Sequence, residues 1–124
     1  MISTPASAVA VVDDDPAVLD SIRFLLEVAG HTVATYASAA AFLADRATRH
    51  ACLILDQHMP QMTGLELAAR LRCGGAVIPV LLVTAASSPA IVARATQLGI
   101  EKVLEKPPGV DDLLGFVNKQ VHPE

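Results

Sequence analysis

Carboxylates, a hydroxyl and an amine recur in this chain at one kind of place, the point where an apolar run stops. Ala8-Val9-Ala10-Val11-Val12 runs into Asp13-Asp14-Asp15, Ala51-Cys52-Leu53-Ile54-Leu55 into Asp56, Ile78-Pro79-Val80-Leu81-Leu82-Val83 into Thr84, and Val103-Leu104-Glu105 into Lys106-Pro107. Continuous apolar runs of this length read as buried parallel strands, and in an open α/β sheet the rim at the strands' carboxyl ends is where ligands are met. With these runs as parallel neighbours, the acids, Thr84 and Lys106 gather at one rim, which suits phosphoryl transfer. Asp13 and Asp14 repel each other in a shared pocket unless a cation neutralises them. Mg²⁺ answers that need, since it takes oxygen ligands and asks for only one or two carboxylates, leaving positions for water and phosphate. Asp56 can be a third metal ligand, a nucleophile that yields an aspartyl phosphate, or both. Lys106, stiffened by the prolines that follow it, offers a fixed positive charge to phosphoryl oxygens. Each position has a plainer alternative: three acids can cap a helix, a threonine can cap a turn, and a lysine can face water. The coincidence of all five positions favours the chemical reading.

The segments between these runs have helical period, which argues for βαβ units and a parallel sheet covered on both faces. Asp15-Pro16 reads as an N-cap and first helical residue, followed by an apolar face of Val18, Ile22, Leu25 and Ala29 and a stop at Gly30. His31 to Thr35 reads as the second strand, and Ser38 caps an alanine-rich helix through Ala44. After Asp56 a Pro60 to Gly64 turn leads to a helix carrying Leu65, Leu67, Ala68 and Leu71, stopped by Gly74-Gly75. Ile78 to Val83 is the fourth strand. Ser88-Pro89 opens a helix with Ile91, Val92 and Ala95 apolar. The last helix runs from about Val110 to Val121 with Val110, Leu113, Leu114 and Val117 on one face. Five βα units result, and His122-Pro123-Glu124 reads as a frayed end or the start of a linker.

The chain has 124 residues, the size of one domain. Hydrophobic residues make up 52% of it and aromatics only 3%, so the core is built from Ala, Val, Leu and Ile. The formal net charge is -4 and the basic residues are scattered singly, which argues against direct nucleic-acid binding. Cys52 and Cys73 lack the spacing of a zinc site or redox pair and read as reduced core residues. Met1-Ile2-Ser3-Thr4-Pro5 has no basic signal segment, and no apolar run approaches the ~20 residues that span a bilayer, so a cytoplasmic location is expected.

Taken in order, Asp13-Asp14, Asp56, Met59-Pro60, Gly64, Thr84-Ala85 and Lys106-Pro107 resemble the receiver domain of two-component response regulators. Val11 to Pro16, Ser38 to Ala44 and Glu105-Lys106-Pro107 look most like its nitrogen-fixation (FixJ-type) branch. The resemblance covers nearly the whole chain. It implies one receiver domain over residues 1–124, with a core at about 7–121. It also implies a flavodoxin-like (CheY-like) α/β fold, a doubly wound (βα)5 unit with strand order 2-1-3-4-5. By the same resemblance, Asp56 accepts a phosphoryl group from a histidine kinase. Asp13, Asp14, Asp56 and the backbone carbonyl of His58 hold Mg²⁺, Thr84 hydrogen-bonds the phosphoryl group and moves inward, and Lys106 pairs with another of its oxygens. A cis Lys106-Pro107 bond and an open approach over small Ala85 are also implied. The implied partners are the kinase, an output domain, commonly of helix-turn-helix type, or a downstream protein, and a second copy. The fourth helix, fifth strand and fifth helix would meet the copy or the output domain, near Leu98, Ile100 and Val103, each of which could equally be core.

Two positions depart from the family pattern. Val103 stands where many receivers carry a Tyr or Phe that turns inward with the threonine, and Pro108 stands where Phe often follows Lys-Pro. His58 falls near the phosphoryl group, where an imidazole can order water or compete for the phosphate. Three other functions compete. A degenerate receiver acting as a binding module is opposed by the complete acidic set. A haloacid-dehalogenase-type phosphatase needs Asp-x-Asp, whereas the residue two after Asp56 is His58. A flavin or dinucleotide carrier needs a glycine-rich loop where this chain has three acids. The expected protein is therefore a signalling domain that catalyses its own phosphorylation and dephosphorylation and turns over no external metabolite.

Overall fold

The computed structural model describes residues 8–45 and 49–121. Strands and helices alternate as β1 (Ala8–Val12), α1 (Pro16–Val28), β2 (Val33–Tyr36), α2 (Ala39–Ala44), β3 (His50–Asp56), α3 (Gly64–Cys73), β4 (Val80–Thr84), α4 (Pro89–Gln97), β5 (Lys102–Glu105) and α5 (Val110–Val121). All strand pairs are parallel, in the order β2-β1-β3-β4-β5. The alternating pattern called for such a parallel sheet covered on both faces, and the resemblance to receiver domains for this flavodoxin-like strand order.

Because successive side chains of a strand point to opposite faces, each central strand feeds two cores. Ala10, Val12, Leu53, Leu55, Val80 and Leu82 pack under α2, α3 and α4, with Phe42, Leu67 and Ala95. Val9, Val11, Cys52, Ile54, Leu81 and Val83 pack under α1 and α5, with Leu26, Leu113 and Phe116. Leu53, Leu55, Leu81 and Leu82 are fully buried, each stabilising the fold by about 1.5–3 kcal/mol. Side-chain caps start the helices: Asp15 accepts from the Ala17 N–H at 2.9 Å, Ser38 from Ala41 at 3.0 Å, and Ser88 from Ile91 at 3.2 Å.

Several boundaries and faces differ from the expected ones. The second strand begins at Val33, because the His31 N–H is drawn to Leu26 O at 3.0 Å in closing α1, and its Nε2 meets Asn118 Oδ1 at 2.9 Å. The fourth begins at Val80, since Pro79 has no N–H to give a ladder, although its carbonyl accepts from Leu53 N at 2.9 Å. On α1 the buried face is Leu19, Ile22 and Leu26, with Val18 and Leu25 on its flank and Ala29 exposed. Both sets have helical spacing, and only the angle at which α1 leaves β1 chooses between them. Val92 and Val110 face solvent, and Cys73 is exposed while Cys52 is buried, its thiol pushed up to about 12 by burial and by Glu101. Leu98 and Ile100 are core residues and Val103 is half-buried against them, so this expected docking trio is occupied internally. The expectations for Met1 to Pro5 and His122 to Glu124 fall outside the described residues.

On the α2 side, Tyr36 Oη donates to Asp45 Oδ2 at 2.6 Å and lies 3.3 Å from His50 Nε2, while the Phe42 and His50 rings pack 5.5 Å apart. His50 Nδ1 is buried with no hydrogen-bond partner among the described residues. Burial pushes the His50 imidazole below the usual histidine range, and nearby Asp45 offsets this only in part. The unfolded chain therefore binds a proton at His50 before the folded one does, so stability is lost as pH falls below the ordinary histidine value. In urea titrations between about pH 7.5 and about pH 5.5, the wild type should lose more stability than His50→Phe, which keeps the ring packing without the titration. Equal losses would contradict this account.

Candidate functional site

The parallel register brings the strand ends level. Asp56 closes β3 opposite Val83, and Thr84 closes β4 opposite Glu105. The Lys106 N–H donates to Thr84 O at 2.9 Å, and that of Asp13, just beyond β1, to Tyr36 O at 3.1 Å. Asp13, Asp14, Asp56, His58, Thr84 and Lys106 thus stand at one rim. Asp13, Asp56 and Thr84 are buried and Asp14 is exposed. Carboxylate oxygens of Asp13, Asp14 and Asp56 lie within 4.8 Å of one another. Asp15 stays out of this cluster as the cap of α1.

Lys106 supplies the neutralising charge. Its Nζ lies 2.9 Å from Asp56 Oδ1 and 3.5 Å from Asp13 Oδ2. Burial works against its ammonium, but the contacts with Asp56 and Asp13 outweigh that and raise its pKa. Burial raises the Asp13 carboxyl above its ordinary range, and the charge of Asp56 adds to this. The Asp15 N–H, at 2.9 Å from Asp13 Oδ1, and Lys106 oppose it. Both Asp56 oxygens are buried; Oδ1 is met by the Lys106 ammonium at 2.9 Å, while Oδ2 has no partner among the described residues. Buried carboxylate oxygens left with unused lone pairs, beside two more acids, fit a hard divalent cation.

The loop after Asp56 is pinned from both sides. Gln57 N–H donates to Val83 O at 2.9 Å, its carbonyl accepts from Gly64 N at 3.1 Å, and its Oε1 accepts from Leu65 N at 2.8 Å. Gln61 takes a left-handed φ of 73°, and Thr63 with Glu66 forms a capping box at the start of α3. A Cβ on Gly64 would stand 2.5 Å from Asp56 O and 2.8 Å from Leu82 Cδ1. The sequence reading assigned Gln57 no role, because its partners follow from the fold of the loop.

His58 was expected near the phosphoryl position, and its imidazole is found on Thr84, with Nε2 3.0 Å from Oγ1. The Lys106-Pro107 bond is cis and Ala85 is exposed, both as the resemblance implied. One feature was not anticipated: an apolar groove of about 740 Å³ between α1 and α5, lined by Val18, Ile22, Leu25, Pro108 and Leu113 and opening onto Asp13, Asp56 and Lys106. No large side chain at Pro108 fills it.

A family model described as the response regulator receiver domain matches residues 9–118. The transcriptional regulatory protein FixJ of Azorhizobium caulinodans is 41% identical over 100 residues, covering 80% of this chain and 47% of that protein. The transcriptional regulatory protein TdiR of Thauera aromatica is 38% identical over 114 residues, covering 91% and 50%. The crystal structure of FixJ-N superposes with a TM-score of 0.84 at 28% identity, covering 100% of this chain and 98% of that one. The chain spans about half the length of the curated relatives it matches.

The close approach at Gly64 yields a test of how tightly the acceptor loop is held. Gly64→Ala forces a methyl against Asp56 backbone that has no room to give, and should cost about 1–3 kcal/mol in chemical denaturation, the range for overpacking. An unchanged denaturation midpoint would show the loop to be looser than described.

Proposed function

The chain belongs to the response regulator receiver domain family of two-component signalling, and on that footing we propose that Asp56 is its phosphoryl acceptor, served by Asp13, Asp14, Thr84 and Lys106. The observation that carries this reading is the buried Asp56 carboxylate, ion-paired to Lys106 through Oδ1 and without a partner at Oδ2 among the described residues, beside the other two acids. An Asp56 oxygen attacks the phosphorus of a phosphohistidine on a histidine kinase. The new O–P bond forms as the N–P bond breaks, and the imidazole leaves with the electron pair. Lys106 stays charged, its pKa held up by both acids, and follows the phosphoryl oxygens. Thr84, at the end of β4, would turn inward to donate its hydroxyl proton to another of them. Water later attacks the acyl phosphate and restores the carboxylate. The domain thus catalyses its own phosphorylation and dephosphorylation and has no external metabolite as substrate.

Asp13, Asp14, Asp56 and the His58 carbonyl would hold Mg²⁺, and these donors fit it as hard oxygen ligands. When bound, it screens the charge of Asp56 from that of the incoming phosphoryl group. At an effective dielectric of about 20, a unit charge about 4 Å away is worth about 4 kcal/mol, so Asp13→Asn should weaken Mg²⁺ binding at least about tenfold. Calorimetric titration with Mg²⁺ checks this, and unchanged affinity would remove Asp13 from the ligand set.

We take residues 1–124 as one receiver with its core at about 7–121, working in a reducing cytoplasm, where its free Cys52 and Cys73 persist. No helix among the described residues is long and apolar enough to cross a membrane. Two relatives are transcriptional regulators about twice as long as the match, which supports a DNA-binding output domain as the partner of this unit. Contact between two copies through α4, β5 and α5 would not use Leu98 and Ile100, which are buried. That face carries ion pairs of Lys119 with Glu101 at 3.7 Å and of Lys102 with Asp112 at 4.0 Å.

Intact-protein mass after incubation with acetyl phosphate and Mg²⁺ tests the acceptor. The wild type should gain one phosphoryl group and Asp56→Asn none. A gain in both would place the acceptor elsewhere, and a gain in neither would favour a module that binds partners without being phosphorylated.

A further inference from the structure

Thr84 is the residue that must reorganise if Asp56 is phosphorylated, and its hydroxyl is already fully engaged. Oγ1 lies 3.0 Å from His58 Nε2, 3.2 Å from Ala86 O and 3.3 Å from Ala86 N. A hydroxyl has one proton and two lone pairs, and these three partners compete for them. The Ala86 N–H donates into one lone pair. Either the hydroxyl donates to Ala86 O while His58 Nε2–H donates to it, or the hydroxyl donates to a bare His58 Nε2. In both arrangements Thr84 reaches a phosphoryl oxygen only by giving up a bond it now has. The Thr84 side chain is completely buried, so an unpaired hydroxyl there is costly, whereas the exposed His58 ring can turn to water. Ala86 belongs to the loop that Thr84 itself leads into and can move with it, whereas His58 reaches across from the loop after β3, so His58 is the partner that is released.

We propose that His58 is a positioning residue that latches the Thr84 hydroxyl in the resting protein, so that its release sets how readily phosphorylation moves Thr84 and the loop behind it. This rests on the acceptor reading of Asp56. A second tie restrains the same loop, since Ser87 N–H donates to Glu105 Oε2 at 2.9 Å. The latch accounts for an imidazole two residues after the acceptor without giving it any contact with the reacting atoms.

Titration of the metal-loaded protein with beryllofluoride, followed by NMR, tests the latch together with amide hydrogen exchange in the ligand-free protein. A neutral hydrogen bond has a net value that converts to roughly two- to tenfold in an equilibrium constant. His58→Phe and His58→Ala should bind beryllofluoride more tightly by roughly that factor, and His58→Gln, whose amide can bond the hydroxyl, should match the wild type. In a Thr84→Ala background, His58→Phe should change nothing. Without ligand, the Ala86 amide should exchange faster in His58→Phe, because Thr84 is free to rotate away from it. If His58→Phe leaves both the affinity and the Ala86 exchange unchanged, the latch is overturned while Asp56 stands as acceptor. A wild type that takes up no beryllofluoride overturns both.

Discussion

Two carboxylates buried at adjacent strand ends set the terms for everything else in this molecule. β1 and β3 are neighbours in the sheet, so Asp13 and Asp56 leave it side by side. Leaving a buried charge uncompensated costs about 3–5 kcal/mol, more than any single cap or loop contact here returns. The answer comes from β5, with β4 between it and the acids. The long stem of Lys106 crosses over the end of β4 and places its ammonium against both acids. One ammonium against Asp13, Asp14 and Asp56 leaves the rim negatively charged, with an Asp56 Oδ2 that has no partner among the described residues. On the proposed reading, the same deficit that is a cost in the resting fold would supply the affinity for a cation and, through it, for phosphate. Stability and function here are two sides of one charge imbalance.

The alternation of side chains along the strands divides the work between the two faces of the sheet. Asp56 has the parity of Cys52 and Ile54, and Asp13 that of Val9 and Val11, so both acids belong to the α1/α5 side and open onto its apolar groove. Thr84 has the parity of Val80 and Leu82, which face α2, α3 and α4. Charge is therefore collected on one side, and the hydroxyl that responds to it starts from the other. The link between the sides is the pair of loops after β3 and β4, and they meet where His58 touches Thr84.

What was legible in the sequence depended on how far each interaction reaches. The number and order of the strands, the Asp15 and Ser38 caps and the acids at the strand ends follow from neighbours within a few residues, and they are found as expected. The α1 face was misjudged by one step, because Val18 and Leu25 have the same spacing as Leu19, Ile22 and Leu26, and only docking on the sheet separates them. The β2 boundary was misjudged because His31 is claimed by the end of α1 and by Asn118 of α5. The role of Gln57, the cluster of Tyr36, Asp45 and His50, and the His58 to Thr84 contact join separate elements, so no local pattern announces them. The groove beside α1 was partly foreshadowed by Pro108, a small residue where the family pattern has a large one, but a volume can be seen only once the walls are placed.

The missing ring at Val103 makes the β4–α4 loop the main route by which a change at Asp56 can leave the site. Val103 has one staggered branch packed against the core and no hydroxyl, so it cannot report a displacement by swinging between pocket and surface. The loop, by contrast, is short and taut. Thr84 ends β4, Ala86 bonds back to it, Ser87 is tied to Glu105, and Ser88 is the cap that starts α4. A shift of Thr84 is thus passed through three residues to a helix N-terminus, with no side-chain relay in between. Because Leu98 and Ile100 fix the far end of α4 in the core, such a shift is expressed as a tilt at the Ser88 end rather than as sliding of the whole helix. If Asp56 is the acceptor, the readout would then be a change of backbone position at the start of α4, and a partner that senses it would contact that end.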